Sequence, residues 1–492
     1  MFVVRAFNFV VVAMVRRMLG YARSRATWLI ALWSRAARFR WLLNERTADL
    51  TAAQRLQRNA VSVFLWLPDR YYRQRLARLG DRLAAVRTGE FPAADRSGVL
   101  MMIGSLGPGG AERQVVMTLQ GLQGRGLGPV RLACCNLTTP AERFFLPQLE
   151  ACGIPVGQIG AEPVSAINGG VRAALLALPE HLQSILGYAA TLAAARPRVA
   201  HLWLDEVNIK GGIAAVATGV PRIVLGLRSL PPCNFGFHRP YMREGYRWVV
   251  RQPGVTLICN SACGARAYER WLGLPEGAIG VVRNGLTFDA TTLESLRGAR
   301  GEYRRRMSIP GDAPVVGTVF RMSEEKQPLL WMEIAAGVRR AIPDARFLVV
   351  GDGPLREAVE LRAQREDLNG AVHFAGYDSQ PLRAIVDMDL FLLTSRAEGL
   401  PNVLIEAQAV GVPVVTTPVG GAPETIDHGR TGVVLEGADP TEVAAVLVKL
   451  LRDAAWRSEA AKRAPWFVQS AFGVERALDE TIAVYDSAST GI

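Results

Sequence analysis

Short apolar runs alternate with helical stretches along most of this 492-residue chain. The runs contain little polar alternation, which is typical of parallel strands that are buried on both faces. They occur at 99–103, 130–135, 198–202, 222–227 and 255–259, and again at 314–320, 346–350, 371–374, 389–394 and 412–417. Because strands that alternate with helices form parallel sheets, the sequence predicts an α/β fold with two doubly wound domains.

Proline, glycine and charge divide the chain into four predicted parts. A basic, apolar helical arm covers 1–96, and Pro92 and Gly98 mark its junction with the first domain. The first doubly wound domain covers 97–285 and the second covers 286–465. The last part, 466–492, is predicted to form a helix that crosses back over the domains.

The positive charge of the chain is concentrated at its N-terminus. Residues 1–98 contain 18 arginines, no lysine and 6 acidic residues, which gives a net charge of +12, equal to that of the whole chain. The apolar run at 1–15 is shorter than the roughly 20 residues of a membrane-spanning helix. Arg16 and Arg17 follow this run, whereas a cleaved signal peptide carries its charge in front of it.

Tryptophan and arginine are interleaved in the arm, which favours a helix lying on an anionic membrane surface. We therefore expect 1–95 to hold the protein at the cytoplasmic face of the inner membrane as a peripheral or monotopic protein. The alternative is an amphipathic arm that packs on the body of its own chain. Nucleic acid is not an expected partner, because the arm contains no recognisable binding module and is too apolar for a solvated basic tail.

Cysteine and histidine spacing indicates neither disulfides nor metal binding. The 6 cysteines form no C-x-x-C pair, and the 5 histidines are not spaced as metal ligands. We expect reduced thiols in a cytosolic compartment and no bound metal. Asp387 and Asp389 are interpreted as the junction between a helix and a buried strand.

Two carboxylates flank the start of a predicted helix in the segment 395–421. Glu398 lies in the loop before Pro401, and Glu406 lies inside the helix that begins near Asn402. Free amides at a helix N-terminus bind anions, and ionised carboxylates accept hydrogen bonds from hydroxyl groups. A sugar nucleotide carries both phosphate and hydroxyl groups, although solvated helix-cap charges would give the same spacing.

Further polar and glycine-rich segments follow other predicted strands. A glycine-rich loop at 104–110 links the first strand to a helix, which suits either phosphate binding or a tight turn. Arg321 and Lys326 follow a strand of the second domain, where they suit a diphosphate or form a solvated basic loop. His201 and Arg228 end strands of the first domain, where ligands of open parallel sheets bind, although a lone histidine is more often a structural residue.

In combination, these motifs resemble the retaining GT-B glycosyltransferases, and specifically glycosyltransferase family 4. The resemblance implies two Rossmann-like domains that face a cleft, and it covers about 97–487. The matching motifs are GPGGAE (107–112), Asn284-Gly285, Arg321 with Lys326, GDGP (351–354), FAGY (374–377), EGLPNVLIEA (398–407) and GVPVVTTPVGG (411–421).

The resemblance implies roles for individual residues. Catalytic contacts to the transferred sugar and its leaving diphosphate are implied for Arg321, Lys326 and Glu398. Donor-binding positions are implied for Gly109, Gly110, Gly351, Gly353, Gly399, Leu400, Pro401, Asn402 and Glu406. No metal or cofactor is implied. Many family members carry a histidine at a strand end near the sugar, where this chain has Arg228, so Arg228 and His201 are both retained as acceptor or sugar residues.

The expected function is transfer of a sugar, with retention, from a nucleotide-sugar donor to a glycan or lipid-linked acceptor at the membrane face. Surface polysaccharide or glycolipid synthesis would need such a reaction. Two alternatives remain open at the level of sequence. One is a sugar-nucleotide epimerase on the same fold, and the other is a non-catalytic, membrane-bound adaptor with a transferase fold.

Overall fold

The structure is a computed structural model that describes residues 52–87 and 96–487, with side chains from residue 68 onward except those of Arg87 and Ala290. The N-terminal segment 1–51, the predicted junction at 88–95 and the side chains of 52–67 lie outside the described part. No helix within the described residues is long and apolar enough to cross a membrane.

The first domain contains a seven-stranded parallel sheet with the order β3-β2-β1-β4-β5-β6-β7. Within this sheet, strand β1 pairs with β2 on one side and with β4 on the other. The strands are β1 Val99–Ile103, β2 Val130–Cys134, β3 Val156–Gln158, β4 Val199–Trp203, β5 Arg222–Leu227, β6 Val255–Cys259 and β7 Gly280–Val281. The helices after α1 (Ala52–Arg87) are α2 Gly110–Gly124, α3 Leu146–Ala151, α4 Gly169–Leu176, α5 Ile185–Ala195, α6 Asp205–Ala217, α7 Met242–Val249 and α8 Ala262–Leu272.

The second domain contains a six-stranded parallel sheet with the order β10-β9-β8-β11-β12-β13. Its strands are β8 Val315–Val319, β9 Arg346–Val350, β10 Val372–Gly376, β11 Leu390–Leu393, β12 Val414–Thr416 and β13 Gly432–Val434. The helices are α9 Ala290–Gly298, α10 Glu302–Arg306, α11 Pro328–Ala341, α12 Arg356–Ala363, α13 Leu382–Ile385, α14 Asn402–Ala409, α15 Pro440–Arg452, α16 Ala454–Phe472 and α17 Val474–Asp486. The predicted α/β class with two doubly wound sheets is confirmed.

Burial on both faces explains why the strands are apolar without alternation. Every residue of β1, β4 and β5 is buried, and so is every residue of β11. Helices cover the two faces of each sheet, so neither face offers water to a polar side chain. The edge strands β3 and β7 are short and partly exposed.

The C-terminal helix α17 packs on the first domain although it follows the second domain in sequence. Leu478 and Tyr485 are 3% exposed and belong to the same apolar cluster as β1 and α2. Arg125 at the end of α2 forms ion pairs with Glu475 and Asp479 of α17. The end of the chain therefore ties the two domains together.

The second half of helix α1 belongs to the body of the first domain, which corrects the predicted boundary at 96/97. Tyr72, Leu76, Leu79 and Leu83 recur every three or four residues and are 1–2% exposed. Arg73 Nε donates to Glu244 Oε2 at 2.9 Å. For residues 68–87, the alternative of packing on the same chain is therefore observed, because a regular apolar stripe on a helix is stable when it is buried against a partner.

Candidate functional site

A cleft of about 1240 Å³ separates the two sheets and is lined by residues that follow strands of both domains. All the site residues predicted from sequence lie on this cleft, with the exception of His201. They are Gly109, Gly110, Arg228, Arg321, Lys326, Gly351, Gly353, Glu398, Gly399, Leu400, Pro401, Asn402 and Glu406. Ligands of open parallel sheets bind at the carboxyl ends of strands, as this arrangement allows.

The loop that carries Glu398 is held by backbone contacts to the loop after β12. Gly421 N donates to Gly399 O at 2.8 Å, and Thr417 Oγ1 donates to Ser395 O at 2.7 Å. Gly420 has φ +53° and approaches the Glu398 carbonyl so closely that a Cβ would overlap it. Glycine is required there, because a side chain would be both strained and obstructed.

Glu398 is paired with a lysine from a neighbouring strand end. Lys326 Nζ donates to Glu398 Oε1 at 2.5 Å, and Glu398 is 8% exposed. Lys326 is the last residue of a short turn, and its own carbonyl oxygen accepts a hydrogen bond from Thr394 Oγ1 at 3.0 Å. The backbone on both sides of this ion pair is therefore anchored before any ligand binds.

Arg321 lies in the loop after β8 that leads to Lys326, and its guanidinium is unpaired among the described residues. It is exposed on the cleft, and the described part of the chain offers it no hydrogen-bond or ion-pair partner. An unpaired guanidinium beside Lys326 suits a phosphate, because its donors match phosphate oxygens in pairs.

Glu406 is paired with Arg113, a residue that the sequence reasoning missed. Arg113 Nη2 donates to Glu406 Oε1 from the opposite domain, and both side chains line the cleft. Arg113 lies one helical turn after Gly109, and its N–H donates to Gly109 O at 3.1 Å. Since residues four apart lie on one face of a helix, this spacing was a signal that Arg113 projects beside the glycine loop.

Asn284 joins the two domains at the base of the cleft. Its Nδ2 donates to Leu400 O at 3.1 Å and to Asn402 Oδ1 at 2.6 Å. Its Oδ1 accepts a hydrogen bond from Arg228 Nη1 at 3.2 Å. The loop before α14 and the strand end at Arg228 are therefore held together by one side chain.

A second contact between the domains uses the N-terminus of helix α8. The Glu424 carboxylate accepts hydrogen bonds from Ala262 N at 2.9 Å and Cys263 N at 2.7 Å. A carboxylate at a helix N-terminus is stabilised by the free amides and by the helix dipole. This contact lies outside the cleft wall and holds its two sides at a set spacing.

Arg228 is fixed above an aromatic ring at the cleft wall. Its guanidinium carbon lies 3.7 Å from the centre of the Trp203 ring. Burial lowers the pKa of the Arg228 guanidinium to about 9, so the group stays charged at neutral pH. A charged, immobilised arginine at a strand end of the first domain can bind an anionic or hydroxyl-rich group.

His201 is not brought to the cleft, which corrects its assignment as an acceptor or sugar residue. It is 1% exposed, and its Nδ1 lies 2.8 Å from the Tyr485 hydroxyl of helix α17. Burial first, and then the charge of Arg228, lower the pKa of His201 well below its usual value, so the ring is neutral. Sequence placed His201 at a strand end, but it lies within β4 and points under the C-terminal helix.

The loop at Gly351 to Gly353 is packed against the loop that carries Arg321. Gly351 has φ +128°, and a Cβ there would overlap the Phe320 carbonyl oxygen. Gly353 similarly faces the backbone of Met322. These contacts place the two loops side by side along one wall of the cleft.

Asp387 and Asp389 are used in structural contacts. Asp387 accepts hydrogen bonds from the N-terminal amides of α10, including Tyr303 N at 2.7 Å. Asp389 Oδ2 pairs with Arg304 Nη2 at 3.0 Å. Among residues 52–87 and 96–487, no group of three or more His, Cys, Asp or Glu side chains is arranged to hold a metal ion.

Comparison with known proteins gives consistent matches. The family model described as glycosyl transferases group 1 matches residues 313–453. The Vi polysaccharide biosynthesis protein VipC/TviE of Salmonella typhi is 31% identical over 417 residues, which are 78% of this chain and 71% of that protein. A GDP-mannose-dependent α-(1-6)-phosphatidylinositol monomannoside mannosyltransferase of Mycolicibacterium smegmatis is 36% identical over 166 residues, or 32% of this chain and 43% of that protein.

Solved structures share the fold. Anabaena Alr3699/HepE, crystallised in complex with UDP and glucose, has a TM-score of 0.64 and 20% identity. The match covers 79% of this chain and 98% of the Anabaena chain. At this level of identity, the likeness establishes the two-domain architecture.

Proposed function

Because this chain belongs to the family of glycosyl transferases group 1, we propose that it is a retaining glycosyltransferase that uses a nucleotide-sugar donor. The observation that carries this proposal is the cleft in which Arg321 and Lys326 lie beside the carboxylates Glu398 and Glu406. A nucleoside diphosphate sugar presents anionic phosphates to the cations and hydroxyl groups to the carboxylates.

Each part of the donor has a matching part of the cleft in this proposal. Arg321 and Lys326 hold the diphosphate, Glu406 accepts hydrogen bonds from the ribose, and Glu398 accepts hydrogen bonds from the sugar. The N-terminus of α14 lines the cleft, where the helix dipole favours negative charge. The loop at 351–353 faces the nucleoside.

The proposed reaction breaks the bond between the anomeric carbon and the terminal phosphate oxygen. Positive charge develops on the sugar and negative charge on the leaving diphosphate, which Lys326, Arg321 and the helix amides stabilise. The acceptor hydroxyl attacks the face from which the diphosphate leaves and transfers its proton to a phosphate oxygen. The products are the glycosylated acceptor, with the anomeric configuration retained, and the nucleoside diphosphate.

The proposed acceptor is a glycan or a lipid-linked saccharide, held on the first-domain side near Arg228. The VipC/TviE relative is named for polysaccharide biosynthesis, and the arm of this chain carries the whole net charge of +12. Each arginine near an anionic surface contributes on the order of 1 kcal/mol to binding. This supports action at the cytoplasmic face of the inner membrane.

The donor proposal is tested with the purified full-length chain and a set of UDP- and GDP-sugars. We expect one donor to raise the melting temperature, because ligand binding stabilises the folded state by mass action. With that donor and a polyprenyl diphosphate saccharide, the chain should release nucleoside diphosphate and extend the acceptor, and it should do so with or without EDTA. Proton NMR of the product should show the anomeric configuration of the donor.

Other outcomes contradict the proposal in identifiable ways. Conversion of the donor to an isomer without an acceptor would establish an epimerase. Donor binding without release of nucleoside diphosphate, across the acceptors tested, would favour an adaptor. An inverted product would overturn retention while leaving transfer intact, and loss of activity in EDTA would overturn metal independence.

The membrane proposal has its own test with vesicles. We expect the full-length chain to float with vesicles of phosphatidylglycerol and phosphatidylcholine, and to be released by raised salt, since surface charge is screened. A chain lacking residues 1–51 should remain behind, with vesicles of phosphatidylcholine alone as the control. Unchanged flotation of the shortened chain would assign the membrane contact to residues after 51.

A further inference from the structure

Arg113 and the ribose of a donor would compete for hydrogen bonds to the Glu406 carboxylate. Arg113 Nη2 donates to Glu406 Oε1 across the cleft. The proposed function gives Glu406 to the ribose hydroxyl groups, and this inference rests on that assignment. The Glu406 side chain is 10% exposed, so it presents little free surface to a ligand while Arg113 is in place.

Glu406 does not satisfy the Arg113 guanidinium completely. The Arg113 Nε is buried and has no hydrogen-bond partner within the described part of the chain. Because this N–H has no partner, the guanidinium can still donate a hydrogen bond to another acceptor. A buried donor without a partner also lowers stability, which favours a change of partner. The start of helix α2 holds its backbone beside Gly109, so the side chain can change partner while the helix stays in place.

Two helix N-termini meet close to Arg113 and define what this acceptor would be. A Cβ on Gly110, the first residue of α2, would lie 3.3 Å from Asn402 Nδ2, at the first residue of α14. The free amides of both helices favour an anion between them. With Arg113 alongside, this part of the cleft suits the phosphates of a donor.

We infer that Arg113 exchanges partners: it pairs with Glu406 before a donor binds and moves to the diphosphate when the donor binds. The exchange frees Glu406 for the ribose and adds a cation to the phosphates. A nucleoside without phosphates must displace Arg113 from Glu406 but offers the guanidinium no phosphate to bind. A nucleoside diphosphate displaces the same ion pair and gains a new one, so the cleft discriminates between the two ligands.

The test compares uridine with UDP and guanosine with GDP by calorimetry, using the pair that the full-length chain binds. For Arg113→Ala we expect nucleoside affinity to rise by roughly two- to fivefold, the range of a partly exposed ion pair. The ratio of diphosphate to nucleoside affinity should fall by about fivefold or more, because a charge-assisted contact is lost. In a Glu406→Gln background, Arg113→Ala should leave nucleoside affinity unchanged.

Two further variants control this experiment. Arg463→Ala removes an ion-paired arginine from helix α16, outside the cleft, and should change neither affinity. Arg113→Lys keeps the charge and should retain most of the diphosphate preference, which separates loss of the exchange from a folding defect.

Unchanged or weaker nucleoside binding by Arg113→Ala, or an unchanged diphosphate ratio, would overturn the exchange while the wild-type binding still supports the proposed function. Failure of the wild-type chain to bind either pair would instead overturn the proposed function, and the exchange with it.

Discussion

The Lys326 ammonium lies 2.5 Å from the Glu398 carboxylate, and both side chains face the cleft between the domains. The two opposite charges form an ion pair across the loop ends. In the proposed reaction, the lysine is shared with the leaving diphosphate and the carboxylate with the sugar. The ion pair therefore keeps both groups at the reaction centre before the donor arrives.

Lys326→Ala should reduce transfer of sugar by roughly tenfold or more, because a charged contact to the leaving group is lost. The measurement is kcat/KM for release of nucleoside diphosphate. Lys210→Ala is a matched control, since Lys210 pairs with Glu206 at the same distance of 2.5 Å but lies outside the cleft. Equal activity of the Lys326 and Lys210 variants would remove Lys326 from the proposed mechanism.

Replacing His201 should change stability without changing donor binding. Because His201 Nδ1 and the Tyr485 hydroxyl are buried partners, His201→Leu and Tyr485→Phe should each lower the free energy of unfolding by about 1–3 kcal/mol. The double variant should lose less than the sum, as contacting residues do. The readouts are denaturant unfolding and donor KM, and a folded His201 variant with a raised donor KM would return His201 to the sugar site.

Asp205 should make stability depend on pH. Burial raises the pKa of this carboxyl group to about 6, despite hydrogen bonds from Tyr246 and Tyr268. Between about pH 4 and 6 the unfolded chain has lost this proton and the folded chain has kept it, so stability falls as pH rises and then levels off above 6.

We expect the stability of the wild type relative to Asp205→Asn to fall by about 2–3 kcal/mol between pH 4 and pH 6.5, the equivalent of two pKa units. The measurement is denaturant unfolding at each pH, and Asp344→Asn, at an exposed position, is the control for removal of a charge. Parallel curves for wild type and Asp205→Asn would contradict the burial of this carboxyl group.

Leu79→Ala should lower the free energy of unfolding by about 2–5 kcal/mol, because it opens a cavity between helix α1 and the first domain. Arg78→Ala, at the neighbouring exposed position, should change it by about 0.5 kcal/mol or less. Thermal and denaturant unfolding measure both. Equal stability of the two variants would mean that α1 does not pack on the domain in solution.

Loop positions in the cleft were predictable because they depend on local sequence. Glu398, Arg321 and Gly351 each follow a buried apolar run, and parallel strands bring such positions to one edge of a sheet. The order of motifs then places two of these edges opposite each other. Placing the loops at a sheet edge and placing the two edges opposite each other can both be done without knowing which side chains are in contact.

The position of helix α1 and that of His201 were not predictable in this way. The stripe from Tyr72 to Leu83 shows that one face of the helix is buried, but it does not identify the partner as a membrane or a protein surface. His201 was placed by its distance from the end of an apolar run. Near the end of a strand, a difference of two positions decides whether a side chain faces the ligand or is buried.

The fold class, the two sheets and the loops that face the cleft follow from local sequence, since alternating apolar runs and glycine-rich turns act over a few residues. The pairing of the charges depends on the tertiary structure. Arg113 and Glu406 are 293 residues apart and meet because Asn284, Glu424 and helix α17 hold the domains together. Partner choice across a cleft depends on the placement of whole domains, which local patterns do not encode.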